Sequence, residues 1–158
     1  MIPELSFRAA NASDEALLFE IFASARHGHP EMEGCTAEEA TTMIESDFEA
    51  RQRSYAADFP GVEFMLVCSD EEPIGRLYLQ RARRVIFIVD LVLLPPWRGM
   101  GLGSHLLRRL LGEARVTRRV VRLHVEKINQ GALRLYSRLG FLIIDDVRTH
   151  YLMEAHPP

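Results

Sequence analysis

The sequence predicts an α/β fold built around a mixed sheet that is antiparallel in its first half. Two observations predict this class. Strand-like and helix-like apolar patterns follow each other in the order βααβββαβαββ, with short connections and no linker, as in one domain over residues 1–158. A single crossover helix separates two strands that should run parallel, whereas the strands of the first half should be mainly antiparallel.

The first third of the chain predicts one strand and two helices. A short strand covers Leu5 to Arg8, and Ser13 is expected to cap the first helix, because apolar residues at helical spacing follow it. Glycines and a proline make residues 26–35 a loop. The second helix runs from about Ala37 toward Ala57, with an interruption near Asp47.

The middle of the chain predicts a hairpin and a central strand. Glu63 to Ser69 and Ile74 to Gln80 are strand-like and flank the turn Asp70 to Pro73. Val85 to Leu94 is the most apolar strand, and only Asp90 interrupts it. Because strands covered on both faces are apolar throughout, this strand should lie at the centre of the sheet.

The last third predicts two helices and three strands. An amphipathic helix from about Leu102 to Ala114 precedes the strand Val120 to Val125. Asn129 caps a short helix that ends near Arg138. Phe141 to Asp145 and Arg148 to Met153 form a final antiparallel pair.

Charge is distributed unevenly along the chain, whose formal net charge is -3. The sequence up to Gly75 contains four arginines and 16 acidic residues, and the sequence after it contains 15 basic and six acidic residues. Such a protein can bind an anion on one side and a cation on the other, but its acidic half argues against a nucleic-acid surface. No run of residues is apolar enough for a membrane span, and two distant cysteines predict free thiols in the cytoplasm.

Three glycines form the most informative motif. Gly99, Gly101 and Gly103 lie between the apolar strand and the amphipathic helix. Glycine lets the backbone approach a ligand closely, and the first turn of a helix has unpaired N–H groups that attract anions. Arg98 can add a charge-assisted hydrogen bond, so the turn predicts a diphosphate site.

A dinucleotide fingerprint is one alternative, since Gly99, Gly101 and Ser104 imitate its spacing and Glu126 ends the next strand. However, four residues separate the strand from the first glycine, and about thirty residues after Glu126 are too few for a doubly wound sheet. A P-loop is excluded, because no Gly-Lys-Ser/Thr follows the glycines.

The segment Leu93 to Ser104 resembles the acyl-CoA pyrophosphate motif of the GNAT acetyltransferase superfamily, an Arg or Gln, two residues, then Gly-x-Gly or Ala. Arg98, Gly101 and Gly103 fill this motif. The segment His124 to Phe141 resembles the second motif of the superfamily, a strand followed by Asn, Ala, Tyr and Gly-Phe. The two motifs occur in order and at the usual separation.

The resemblance implies a GNAT-like α/β (α+β) fold, with a mostly antiparallel sheet of six to seven strands, helices on both faces and a splayed central strand. It implies acetyl-CoA as co-substrate, no metal, and direct attack by a primary amine in a ternary complex. The implied cofactor-binding residues are Leu91, Val92, Leu93, Arg98, Gly99, Met100, Gly101, Leu102, Gly103, Ser104, Asn129, Ala132 and Tyr136.

Two residues are candidates for proton transfer. Tyr136 stands at the tyrosine position of the superfamily, and a phenol can protonate the departing thiolate. Members of the superfamily often have a Glu on the central strand, and the nearest acid here, Asp90, is our candidate base, although an acid in an apolar strand can instead be paired with an arginine or face water. His27 and His29 are alternative bases, because imidazole titrates near neutrality, and we expect no metal between them.

In the superfamily the first two helices and their loop usually form the acceptor wall. Here this wall includes His27, His29, Glu31 and Glu33, beside an acidic second helix. An acidic entrance predicts a cationic small-molecule or peptide amine. A non-catalytic acyl-CoA-binding or regulatory domain of the same fold is the alternative, and a homodimer is compatible with either function.

Overall fold

The computed structural model describes residues 2–157 and contains a seven-stranded sheet in the order β1-β2-β3-β4-β5-β7-β6. All neighbouring strands are antiparallel except β4 and β5. This architecture confirms the fold class. The strands are β1 (Leu5–Ala9), β2 (Glu63–Ser69), β3 (Glu72–Arg81), β4 (Val85–Leu93), β5 (Val120–Glu126), β6 (Leu142–Val147) and β7 (His150–Ala155), and the helices are α1 (Glu15–Arg26), α2 (Ala37–Asp58), α3 (Leu102–Val116) and α4 (Gln130–Arg138).

Three local predictions were wrong in detail. A 3-10 turn precedes α1, and its cap is Asn11, whose side chain accepts the N–H of Ser13 at 2.9 Å. Helix α2 continues through Asp47, because this carboxylate accepts a hydrogen bond from Arg51 one turn later and does not compete for the helix backbone. The final hairpin lies one to two residues later than the hydrophobic pattern indicated, with its turn at Arg148 in the left-handed region.

Each face of the sheet has its own hydrophobic core. Helix α3 packs on one face through leucines such as Leu106 and Leu107, together with Ile86 of β4 and Leu123 of β5. Helices α1 and α2 pack on the other face around Phe22 and other apolar side chains. No helix within residues 2–157 is both long and apolar enough to cross a bilayer.

The central strands β4 and β5 separate midway along their length. Their parallel pairing covers only Val85 to Ile88 against Val120 to Leu123. The next residue of β4, Val89, is a bulge, since Asp90 and Ile88 pair with consecutive residues of β3. A bulge bends its strand, so the carboxyl halves of β4 and β5 leave a gap in the sheet.

On the other side of β4, the strand β3 approaches closely at Gly75. A Cβ atom at this position would lie 2.3 Å from the carbonyl oxygen of Val92. Only a residue without a side chain can therefore hold the pairing of β3 with the end of β4.

We predict that Gly75→Ala destabilises the protein by about 1–3 kcal/mol, because the methyl group forces β3 away from β4. Gly112→Ala is the control, since Gly112 lies in the exposed middle of α3 and an added Cβ contacts nothing within 4 Å. That change should instead stabilise the helix by about 0.5–1 kcal/mol. Urea unfolding measures both. Equal stability of Gly75→Ala and wild type would contradict the close approach.

Candidate active site

A cleft of about 660 Å³ opens at the gap between β4 and β5. Its lining includes Val92 and Tyr55 from the α1/α2 face of the sheet and Val125 and Tyr136 from the α3/α4 face. The cleft therefore passes through the sheet, and ligands can approach the gap from opposite sides.

The glycine turn lies at the end of β4 nearest the cleft. Gly99 and Gly101 have φ of +73° and +79°, which only glycine adopts without strain. Gly101 directly precedes α3, and no side chain caps the helix. The N–H groups of Leu102, Gly103 and Ser104 are thus available at the positive end of the α3 dipole, which suits an anion.

Arg98 lies between this turn and the cleft. Its Nε donates to the carbonyl oxygen of Leu93 at 2.7 Å, and its Nη2 donates to Ser24 of α1 at 3.2 Å. The Leu93 carbonyl is thus bound by a side chain and not by β5, as expected where the two strands have separated. Arg98 lines the cleft and fixes the path of the chain into the turn.

Tyr136 approaches the gap from α4. Burial, with a smaller contribution from the negative charge of Asp90, raises the pKa of Tyr136 to about 12. The phenol therefore stays protonated at neutral pH and can donate a proton or a hydrogen bond. Asn129 holds this helix in place, because its side-chain oxygen accepts the N–H of Ala132 at 3.1 Å.

Asp90 faces α1 and α2 and forms an ion pair with Arg76 of β3. The Nε of Arg76 donates to Oδ2 of Asp90 at 2.7 Å, and Nη2 contacts the same oxygen. Arg76 is 1% exposed and lies over the rings of Phe22 and Tyr78, at 5.3 and 4.8 Å. The arginine pairing considered from the sequence is present, while Oδ1 accepts no hydrogen bond from the described residues.

A second charged cluster at the cleft was not recognised from the sequence. Glu126, the last residue of β5, accepts a hydrogen bond from His29 at 2.8 Å and a longer one from Arg26 at 3.4 Å. Burial alone would raise the pKa of Glu126, but the hydrogen bond and the charges of His29 and Arg26 outweigh it and lower that pKa. The cluster ties the loop after α1 to the end of β5.

Side-chain alternation along β5 was the signal that could have identified this cluster. Val121, Leu123 and Val125 pack in the core on the α3/α4 face, so His124 and Glu126 must face α1 and α2. His124 also lines the cleft, and burial, reinforced by nearby His150, lowers its pKa. A neutral imidazole at this position can accept a proton.

The four residues predicted for the acceptor side separate into two pairs. His29 and Glu31 belong to the cluster, since Glu31 accepts a hydrogen bond from Arg26 at 2.8 Å. His27 and Glu33 are exposed and form no side-chain hydrogen bond with the described residues. His29 and Glu31 do not line the cleft themselves, and they are connected to it through Glu126 and Arg26, which do.

The split parallel strand pair, the glycine turn before a helix and the tyrosine at the gap agree with what the two sequence motifs imply. The family model of the acetyltransferase (GNAT) family matches residues 29–141. The chain belongs to this family, as the two sequence motifs indicated.

Solved structures of other family members share the fold. The PaiA N-acetyltransferase of Thermoplasma acidophilum, in complex with coenzyme A, is 18% identical over 97% of this chain and 99% of its own, with a TM-score of 0.72. Ard1 of Thermoplasma volcanium is 20% identical over 98% of both chains, with a TM-score of 0.61. The putative acetyltransferase yncA of Salmonella typhimurium, with acetyl-CoA, is 22% identical over 98% of this chain and 95% of its own, at 0.58.

We predict that Asp90→Asn lowers the free energy of unfolding by about 3 kcal/mol, because it leaves the buried guanidinium of Arg76 without its anion. Asp70→Asn is the matched control, since Asp70 lies exposed in the β2–β3 turn with φ of +48°, which asparagine tolerates. This control should unfold like the wild type in urea. An Asp90→Asn protein as stable as the control would show that the ion pair is not structural.

Proposed function

We propose that the protein is an N-acetyltransferase that moves an acetyl group from acetyl-CoA to a primary amine by direct attack in a ternary complex. The observation that carries this proposal is the cleft through the sheet. It contains Tyr136 and a wall of ionisable side chains, and it extends to Arg98, the residue before the glycine turn; residues 99–104 themselves lie outside its lining.

The backbone supplies most of the proposed cofactor site. The N–H groups of Gly99 to Ser104 bind the pyrophosphate, whose charge suits the start of α3. The free edge of β4 at Leu91 to Leu93 pairs with the amides of the pantetheine arm, because β5 is not paired with it there. Asn129 and Ala132 border the arm from α4.

The reaction needs two proton transfers. The amine nitrogen forms a bond with the acetyl carbon, the carbon–sulfur bond breaks, and the nitrogen loses a proton while the sulfur gains one. Tyr136 donates the proton to sulfur, since its raised pKa keeps it protonated and it lines the cleft. Asp90 accepts the proton of the amine, directly or through water, at its free oxygen Oδ1.

A non-catalytic acyl-CoA-binding domain remains the second candidate. Such a domain needs the glycine turn but neither a proton donor nor a carboxylate in the gap. Tyr136 and Asp90 both line the cleft, and the charge of Asp90 contributes to the pKa shift of Tyr136, which favours the enzyme.

We predict that Gly103→Glu weakens acetyl-CoA binding at least about tenfold, because a carboxylate at the start of α3 repels the phosphates. An added Cβ at Gly103 meets only a side-chain carbon at 3.8 Å, so the fold should tolerate it. Gly112→Glu adds the same charge to the exposed middle of α3 and is the control. Titration calorimetry measures both affinities, and equal affinities would refute the phosphate site.

We predict that Tyr136→Phe lowers kcat about 100-fold or more and leaves the affinity for acetyl-CoA nearly unchanged, because the phenol acts on the departing thiolate. Tyr151→Phe is the control, as Tyr151 lies on β7 outside the cleft lining, with Lys127 over its ring at 5.0 Å. Thiol release with a saturating amine measures kcat. If Tyr136→Phe kept full turnover, another group would protonate sulfur.

A further inference from the structure

Arg51 of α2 is an incompletely bound cation on the acceptor wall of the cleft. Its Nε donates to Asp47 at 3.2 Å, and its guanidinium lies 5.6 Å from the centre of the Phe22 ring. The side chain is 37% exposed and lines the cleft. The guanidinium also lies beside the Tyr55 hydroxyl, but its two Nη atoms donate no hydrogen bond of standard geometry to residues 2–157, so they are available to a ligand.

The carboxylates around this wall are already bound to cations. Asp90 pairs with Arg76, and Glu126 binds His29 and Arg26. Asp47 is shared, because its other oxygen lies 3.7 Å from the Nε of Arg26. The wall as a whole therefore has spare hydrogen-bond donors.

Two further arginine nitrogens add to these unused hydrogen-bond donors. The Nε of Arg26 and the Nη1 of Arg76 are buried and have no hydrogen-bond partner among the described residues. Their side chains are 7% and 2% exposed, and both line the cleft. By contrast, the acidic residues of the loop do not line the cleft, so they do not define the charge that an acceptor meets.

We infer that the acceptor is a small molecule that carries a carboxylate as well as its amine, and that Arg51 binds this carboxylate. The inference rests on the proposed acetyltransferase function and narrows its substrate to amino carboxylates. An arginine binds carboxylate through two parallel hydrogen bonds, and the two free Nη atoms of Arg51 can supply them.

Neighbouring side chains complete a site for a zwitterion. Tyr55 lies one turn after Arg51 on α2 and lines the same wall, and burial raises its pKa, so its hydroxyl remains a donor. Asp90 faces the same space with a free oxygen and suits the ammonium group. The mixture of acidic and basic residues on one wall thus matches a ligand with both charges.

The test uses the full-length protein and measures thiol release from acetyl-CoA with paired acceptors. The acceptors are the protein amino acids and straight-chain ω-amino carboxylates, each beside its primary amide, which keeps the amine and removes the negative charge. For wild type, at least one acid should be acetylated with kcat/KM about tenfold or more above its amide.

Arg51→Met keeps the aliphatic stem over Phe22 and removes the charge. It should raise KM for the acid about 10–100-fold and change kcat/KM for the amide little, so the preference disappears. Arg53→Met is the matched control, because Arg53 is exposed on α2 outside the cleft lining. It should keep the wild-type preference, and melting curves check that both variants fold.

If wild type acetylated amides or plain amines as efficiently as the acids, or acetylated no acid, the inference would be overturned. This outcome does not depend on whether Arg51→Met folds. An Arg51→Met protein that folds and retains the preference would overturn the role of Arg51. Failure of the proposed function looks different, since calorimetry would then detect no binding of acetyl-CoA to wild type.

Discussion

The separation of β4 from β5 is the constraint on which the rest of the site depends. A continuous parallel sheet would close the cleft and pair the backbone groups that face it. Two features hold the strands apart. The bulge at Val89 bends β4, and the ion pair between Arg76 and Asp90 fastens the bent segment to β3. Gly75 allows β3 to remain close to the end of that segment.

The two faces of the sheet then supply different chemistry. On the α3/α4 face, Tyr136 lines the cleft with an uncharged hydrogen-bond donor. On the α1/α2 face, arginines and carboxylates are linked through Asp47, Asp90 and Glu126. An acyl donor with linked phosphates and an acceptor with its own charges can therefore meet in the gap from opposite sides.

Local sequence signals were sufficient to predict the fold and the position of the glycine turn. Apolar patterns identified all seven strands, including β6, whose residues are all exposed. The spacing of Gly99, Gly101 and Gly103 identified the turn, because only glycine permits that backbone path. Element ends were less accurate, as at Asn11, which caps a 3-10 turn before α1 that the apolar pattern did not indicate.

The charged wall could not be predicted in the same way. Arg26 and Glu126 are 100 residues apart, and their contact depends on how α1 lies across the end of β5. Asp90 was recognised as an unusual acid in an apolar strand, but its partner Arg76 was one of many arginines in the sequence. Such pairs follow from the register of β3 on β4, which a single sequence does not specify.

Hydrogen exchange with and without acetyl-CoA tests the central claim most directly. If the open edge of β4 and the start of α3 bind the co-substrate, the amides of residues 90–94 and 101–105 should exchange more slowly in its presence. Amides of β1 and β2, at the far edge of the sheet, should be unaffected. Saturating acetyl-CoA without protection of these two segments would contradict the claim that the gap between β4 and β5 is the binding site.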